Sequence, residues 1–186
     1  MKTERTFPEA EGYLFVDPKK CTGCSSCMLA CSTAHFGRTS LALASIQILD
    51  DPFGSFPTDI ELAMCRQCLD PQCVIACPTG AMHIDQDHHN VRRIDQEACI
   101  GCRKCIRACP FTPSRIRYDE NRKKAVKCDL CKETPYWNVE GKQACVEICP
   151  VGAIVFSNDP PKPIGPDGYI VNLRGPGWAK MGLPLE

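Results

Sequence analysis

The sequence predicts an α+β fold in which short strands and one-turn helices hang on ligand loops instead of on a large apolar core. Three observations carry that prediction. The chain has 186 residues, of which 16 are cysteines falling into four groups of four. Its 16 prolines and 13 glycines punctuate the segments between those groups and keep regular elements short. Hydrophobic residues make up 44% of the chain, but this figure includes the cysteines, so the remaining core is thin. Ligation is therefore expected to replace part of the usual packing.

Taken in order, YLFVD at 13–17 reads as the first strand. The first cysteine group follows as Cys21, Cys24, Cys27 and Cys31, spaced C-x2-C-x2-C-x3-C. Cys65, Cys68, Cys73 and Cys77 form the second group, spaced C-x2-C-x4-C-x3-C. MHID (82–85) and VRRID (91–95) then read as strands around a polar turn, with His83, His88 and His89 expected to be solvated. The third group, Cys99, Cys102, Cys105 and Cys109, repeats the spacing of the first. The fourth, Cys128, Cys131, Cys145 and Cys149, encloses an insert at 132–144. Tyr136 and Trp137 in that insert read as an aromatic lid that excludes water from a metal centre. The IVFS segment after the fourth group closes the series as another strand. Pro78, Pro110 and Pro150 follow the final cysteines of the last three groups. Each can end a ligand loop, because proline fixes φ and offers no N–H.

Two internal repeats order these parts. Residues 16–31 align with 94–109 without a gap, sharing the cysteines, Asp17/Asp95, Gly23/Gly101 and Ala30/Ala108. CVIACPTGA (73–81) matches CVEICPVGA (145–153). Two copies of one ancestral unit are the simplest reading. Glycine between the first two ligands of groups one and three lets the backbone come close and turn its N–H groups inward.

The dense C-x2-C-x2-C-x3-C run is the bacterial ferredoxin spacing: three closely spaced thiolates wrap three iron corners of a cubane, and the fourth is carried toward a neighbouring one. Zinc sites use C-x2-C pairs but do not call for such a run. A disulfide framework suits a short secreted chain, and no signal peptide is evident. A redox dithiol would need a thioredoxin-like βαβ setting that is absent. Lys+Arg and Asp+Glu are both 22, a balance that argues against nucleic-acid binding. No run approaches the ~18 apolar residues of a membrane span, so a cytoplasmic protein is expected. No paired carboxylates, nucleophile–base constellation or phosphate loop is present, so the chain is not expected to be catalytic alone.

These groups, in this order and with the long gap in the fourth, resemble the four-cluster electron-transfer subunits of molybdenum and tungsten pterin oxidoreductases, such as formate dehydrogenase, dimethyl sulfoxide reductase and polysulfide reductase. The resemblance spans roughly residues 13–157 and includes Cys-Pro-Phe (109–111) and Lys127-Cys-Asp-Leu-Cys131. It implies four 4Fe–4S clusters in two bacterial-ferredoxin-like lobes, one inserted in the other. The outer lobe would be 1–55 with 118–157, the inserted lobe 56–117, and 158–186 an extended Pro/Gly-rich tail. It also implies crossed ligation. Cys65, Cys68, Cys73 and Cys109 would share one cluster, and Cys99, Cys102, Cys105 and Cys77 the next. Cys21, Cys24, Cys27 and Cys149 would hold the third, and Cys128, Cys131, Cys145 and Cys31 the fourth.

The function so implied is relay of electrons between a larger molybdenum- or tungsten-pterin catalytic subunit and an external soluble ferredoxin or flavoprotein. A tungsten subunit of the aldehyde ferredoxin oxidoreductase group is the favoured partner, and the iron–sulfur subunit of tungsten-dependent benzoyl-CoA reductase looks similar. A free-standing polyferredoxin, a hydrogenase-linked carrier and, more remotely, a zinc-binding scaffold are the alternatives. Two departures stand out. Membrane-bound relatives add a C-terminal transmembrane helix that this chain lacks, and Ser32 rather than proline follows Cys31. Tyr169, Ile170, Val171, Leu173, Trp178 and Leu183 in the tail are expected to dock on a surface, that of a partner subunit by preference or else the chain's own ferredoxin-like lobes. Arg103, Lys104 and Arg107 read either as a solvated helix face or as cations raising the potential of a nearby cluster. His35 is not needed as a ligand, because the cysteine count is complete without it.

Overall fold

The computed structural model describes residues 7–57, 59–132, 134–137, 139 and 141–158. The tail expected to dock on a partner lies outside them, apart from Asn158. Eight strands pair into four antiparallel two-stranded ribbons, and four helices link them. β1 (Tyr13–Val16) pairs with β8 (Ile154–Ser157), joining the two ends of the described chain. β2 (Gln47–Asp50) pairs with β3 (Ile60–Ala63), and β4 (Met82–Asp85) with β5 (Val91–Ile94). β6 (Ile116–Asp119) and β7 (Lys124–Lys127) form the last ribbon. The short helices α2 (Gln72–Ile75), α3 (Lys104–Ala108) and α4 (Ala144–Glu147) are about one turn each, as the ligand spacing requires. α1 (Ser26–Phe36) is longer, at 11 residues, and ends at Gly37 in the left-handed conformation typical of helix termini.

Two clusters of buried residues form the core. One joins Leu14 and Val16 of β1, Met28 of α1, Leu62 of β3, Leu130 and Ile154 of β8. The other is smaller, built on Ala81, Met82, Ile116 and Ala125. Cysteines belong to both, which is the thin apolar core expected from composition. The β2–β3 ribbon brackets position 55/56, and position 117/118 falls within β6. Among the described residues, no helix is long and apolar enough to cross a membrane.

Candidate metal centre

Each cysteine group places one or two of its members on a short helix and the rest on the loops around it. Cys27 and Cys31 lie on α1, Cys105 on α3, Cys73 on α2 and Cys145 on α4. The loops before α1 and α3 curl through left-handed residues, Gly23 and Ser25 in one and Gly101 and Arg103 in the other. Glycine at 101 is demanded by a neighbour: a Cβ there would collide with the Lys123 carbonyl oxygen, in the β6–β7 turn. The close approach expected toward a metal centre is therefore made toward that turn as well.

Three cavities result, and each mixes cysteines from two groups. Cys77 lines one together with Cys99, Cys102 and Cys105. Cys109 lines a second with Cys65, Cys68 and Cys73. Cys149 lines a third with Cys21, Cys24 and Cys27. Their volumes to the open mouth are nearly equal, at about 330, 370 and 300 Å³. The remaining cysteines, Cys31, Cys128, Cys131 and Cys145, interact with one another electrostatically where α1 packs on α4. Among the described residues, no three His, Cys, Asp or Glu side chains converge on one ion. The sulfurs surround volumes instead.

The last cysteine of every group accepts a backbone N–H from further along the chain. Ser45 donates to Cys31 Sγ (3.4 Å), Met82 to Cys77 (3.3 Å), Arg115 to Cys109 (3.3 Å) and Ala153 to Cys149 (3.2 Å). Burial, followed by the nearby Cys21 thiolate, pushes the Cys27 thiol up to about 12. Burial and then Cys65 push Cys68 and Cys73 to about 12 as well. Such sites resist ionisation alone and become favourable for thiolates only with a cationic core between them. Iron–sulfur ligation fits that donor set.

The surroundings of the cavities differ sharply. Arg66, Arg92, Arg115 and Lys127 all line the cavity of Cys65, Cys68, Cys73 and Cys109. All four are buried, at 6, 1, 6 and 5% exposure. Arg115 pairs with Glu61 at 2.5 Å, while its Nε and one terminal nitrogen, and Arg66 Nε, are buried without a hydrogen-bond partner. Burial and the adjacent Arg115 lower Arg66 to about 9, leaving it charged at neutral pH. Burial also opposes the Lys127 charge, but thiolates at Cys65, Cys128 and Cys73 outweigh it and raise its pKa. Lys127 Nζ donates to the carbonyls of Arg92 and, at 2.7 Å, Cys128. Among the described residues, Arg103 is the one cation that lines the cavity of Cys99, Cys102 and Cys105, and no charged residue lines that of Cys21, Cys24 and Cys27.

A model of the 4Fe–4S dicluster domain matches residues 58–159, and one of a 4Fe–4S binding domain matches residues 18–34. The protein belongs to the 4Fe–4S dicluster family. It is 34% identical to the B subunit of the anaerobic dimethyl sulfoxide reductase of Escherichia coli, over 76% of its own length and 71% of that relative's. It is 39% identical to the beta subunit of the NADH-dependent phenylglyoxylate dehydrogenase of Aromatoleum evansii over 74% of its length, spanning 28% of that relative. Among solved structures, one polypeptide of the active-site complex of benzoyl coenzyme A reductase bound to benzoyl-CoA is similar at a TM-score of 0.44 and 18% identity, with 78% of each covered. The 16 cysteines of this dicluster protein fit about four 4Fe–4S clusters.

Other expected features resolve differently. Tyr136 packs its ring over Gly37 at the end of α1, the helix that carries Cys31, and its N–H donates to the Ala34 carbonyl. His88 is not simply solvated, since it is part-buried and bonds Asp85 at 2.9 Å, while His89 is exposed and meets Glu11 at the surface (2.8 Å). His35, set aside in the sequence, is tightly built in. Its Nε2 lies 2.8 Å from Asp129 Oδ1 and its Nδ1 2.8 Å from the Cys31 carbonyl. Spacing offered a signal for it, because His35 stands one helical turn after Cys31. The buried cations gave none beyond the adjacency of Arg66 to Cys65 and of Lys127 to Cys128.

Proposed function

We propose that this chain is the electron-transfer subunit of a larger oxidoreductase and holds four 4Fe–4S clusters in two lobes. The observation that carries the reading is the mixed lining of the cavities, three cysteines of one group completed by the last cysteine of another. That lining supports crossed ligation by Cys65, Cys68, Cys73 with Cys109; Cys99, Cys102, Cys105 with Cys77; and Cys21, Cys24, Cys27 with Cys149. The fourth set is Cys128, Cys131, Cys145 with Cys31. In this reading groups one and four belong to the outer lobe (1–55 and 118–157) and groups two and three to the inserted lobe (56–117).

Bound clusters supply one-electron storage and transfer. The chain's own residues do the rest. Backbone N–H groups from Ser45, Met82, Arg115 and Ala153 satisfy the final cysteine sulfurs, and the short helices hold the others in place. Cys24 and Cys102 are exposed, which brings two of the sites to the surface where a partner can reach them. The likeness to subunits of dimethyl sulfoxide reductase and phenylglyoxylate dehydrogenase supports a large catalytic partner. A tungsten-pterin subunit like that of the aldehyde oxidoreductases is the partner we favour, with a soluble ferredoxin or flavoprotein at the other end. Anaerobic purification with whatever accompanies the chain, followed by Fe, Zn, Mo and W analysis, tests this. Iron with tungsten or molybdenum in one peak is the expected result. Zinc without iron would defeat the reading, and iron without either heavier metal would leave a free carrier.

A further inference from the structure

We propose that the site of Cys65, Cys68, Cys73 and Cys109 is the highest-potential station of the four, made so by the buried cations Arg66, Arg92, Arg115 and Lys127. This rests on the ligation proposed above. One-electron reduction at that site, with the electron supplied by an added reductant, breaks no bond and adds one negative charge. Four buried cations line that cavity, Glu61 pairs with Arg115, and Asp129 is close enough to Lys127 to interact with it, so positive charge stays in excess and favours that added charge. Guanidinium groups stay charged in proteins, and water does not screen groups at this depth as it does at a surface. Arg66 and Arg115 additionally keep N–H groups that no atom of the described residues accepts, which suits an anionic group in the cavity they line. Arg92 contributes charge from a fixed position, because its guanidinium donates to Asn90 and Pro8 carbonyls at 2.7 and 2.8 Å.

The other sites lack such surroundings. Only Arg103, half-exposed and shared with Glu120 at 3.0 Å, lines the cavity of Cys102. Among the described residues, nothing charged lines that of Cys24. Beside Cys31, Cys128, Cys131 and Cys145, the buried His35 is matched by Asp129, so it adds little net charge if protonated. Lys127 also donates to the Cys128 carbonyl and Lys124 to the Cys99 carbonyl, so a single lysine approaches each of those two sites and neither matches four buried cations.

An EPR-monitored reductive titration of the loaded, anaerobically purified complex tests the ordering. Cys68→Ser identifies the signal of the site, and the first signal to appear on reduction is expected to be that one. Arg115→Met and Lys127→Met should each lower the reduced-to-oxidised ratio of that signal at fixed potential by tenfold or more, about 59 mV for one electron. The signal altered by Cys24→Ser should stay in place. Arg115→Lys, which keeps the charge, should hold the shift to a small fraction of that and guards against a variant that merely misfolds. The inference is overturned if the signal altered by Cys24→Ser or Cys102→Ser is reduced first, or if neither charge-removing variant moves the signal. Failure of the ligation reading looks different: Cys109→Ser would then alter another signal than Cys68→Ser does.

Discussion

The cavities of the second and third cysteine groups are adjacent, of similar size and each completed by the other group's last cysteine, yet their electrostatics are opposite in kind. Around Cys65 and Cys68 the cations are inside the protein. Around Cys102 they are on its skin: Arg103 is 48% exposed on its side chain, stacks on Tyr118 at 3.7 Å, and shares Glu120 with Lys123. The sequence makes the third group look the more cationic, with Arg103, Lys104 and Arg107 among its ligands. Depth reverses that impression. An exposed, paired guanidinium is screened by water and salt, whereas a buried one acts on its neighbours at a low effective dielectric constant.

The strongest way to press this comparison is to remove the iron. Anaerobic chelation leaves the second-group cavity with four buried cations in excess over the Glu61 carboxylate, while Arg103 at the third-group cavity stays half-exposed and paired. The smaller core cannot compensate for that loss, and loss of folding is expected, a cost on the scale of a domain's whole stability of roughly 5–15 kcal/mol. Brief trypsin treatment should then cut after Arg66, Arg92 and Arg115 in the iron-free chain, and spare them in the loaded one. Cutting after Arg103 and Lys104 in both forms would serve as the internal control. Equal protection of Arg66 and Arg115 in both forms would break the comparison.

A smaller effect is expected from the residue two places after the first ligand, which the two groups fill differently. Group three uses Gly101, with φ of +69° and the Lys123 carbonyl against it; group two uses Gln67, at φ of +52°. Gly101→Ala should cost about 3 kcal/mol or more in denaturant midpoint experiments, from the left-handed backbone and the clash together. Gly80→Ala, at a similar φ but in open space, should cost only about 1 kcal/mol. Gln67 is buried and tied at both ends of its amide, accepting the Arg92 N–H at 2.8 Å and donating to the Cys128 carbonyl at 3.3 Å. Gln67→Ala should cost about 1–3 kcal/mol by leaving those buried groups unsatisfied.

The smallest effect belongs to the exposed cations. Arg103→Gln should change the reduced-to-oxidised ratio of its neighbouring site by no more than about twofold, and high salt should erase the difference. A tenfold change that survives salt would show that exposure does not separate the two cavities.

Much of the site was legible because cysteine spacing is a direct statement of loop geometry. The strands at Tyr13–Val16, Met82–Asp85 and Val91–Ile94 were legible too, since each is a short run of β-forming residues beside a turn. The strands Ile116–Asp119 and Lys124–Lys127 were not, because each is only four residues long and half charged, too short a run for its pattern to mark a strand. Two of those charged residues, Asp119 and Lys127, are buried, an outcome that only their tertiary partners explain. The same reason hid the cation cage. Arg66, Arg92, Arg115 and Lys127 come from separate segments, and nothing local distinguishes them from solvated charges until the ribbons bring them to one cavity.

The central claim is that each cluster is held jointly by two cysteine groups, and the final cysteines test it most directly. Cys31, Cys77, Cys109 and Cys149 would be changed singly to Ser, and the EPR signal each alters compared with those altered by Cys131→Ser, Cys102→Ser, Cys68→Ser and Cys24→Ser. The account predicts matched pairs, with Cys109 and Cys68 altering one signal, Cys77 and Cys102 another, and likewise Cys149 with Cys24 and Cys31 with Cys131. Final cysteines that instead alter the signal of their own group, such as Cys109 with Cys102 and Cys77 with Cys68, would contradict it.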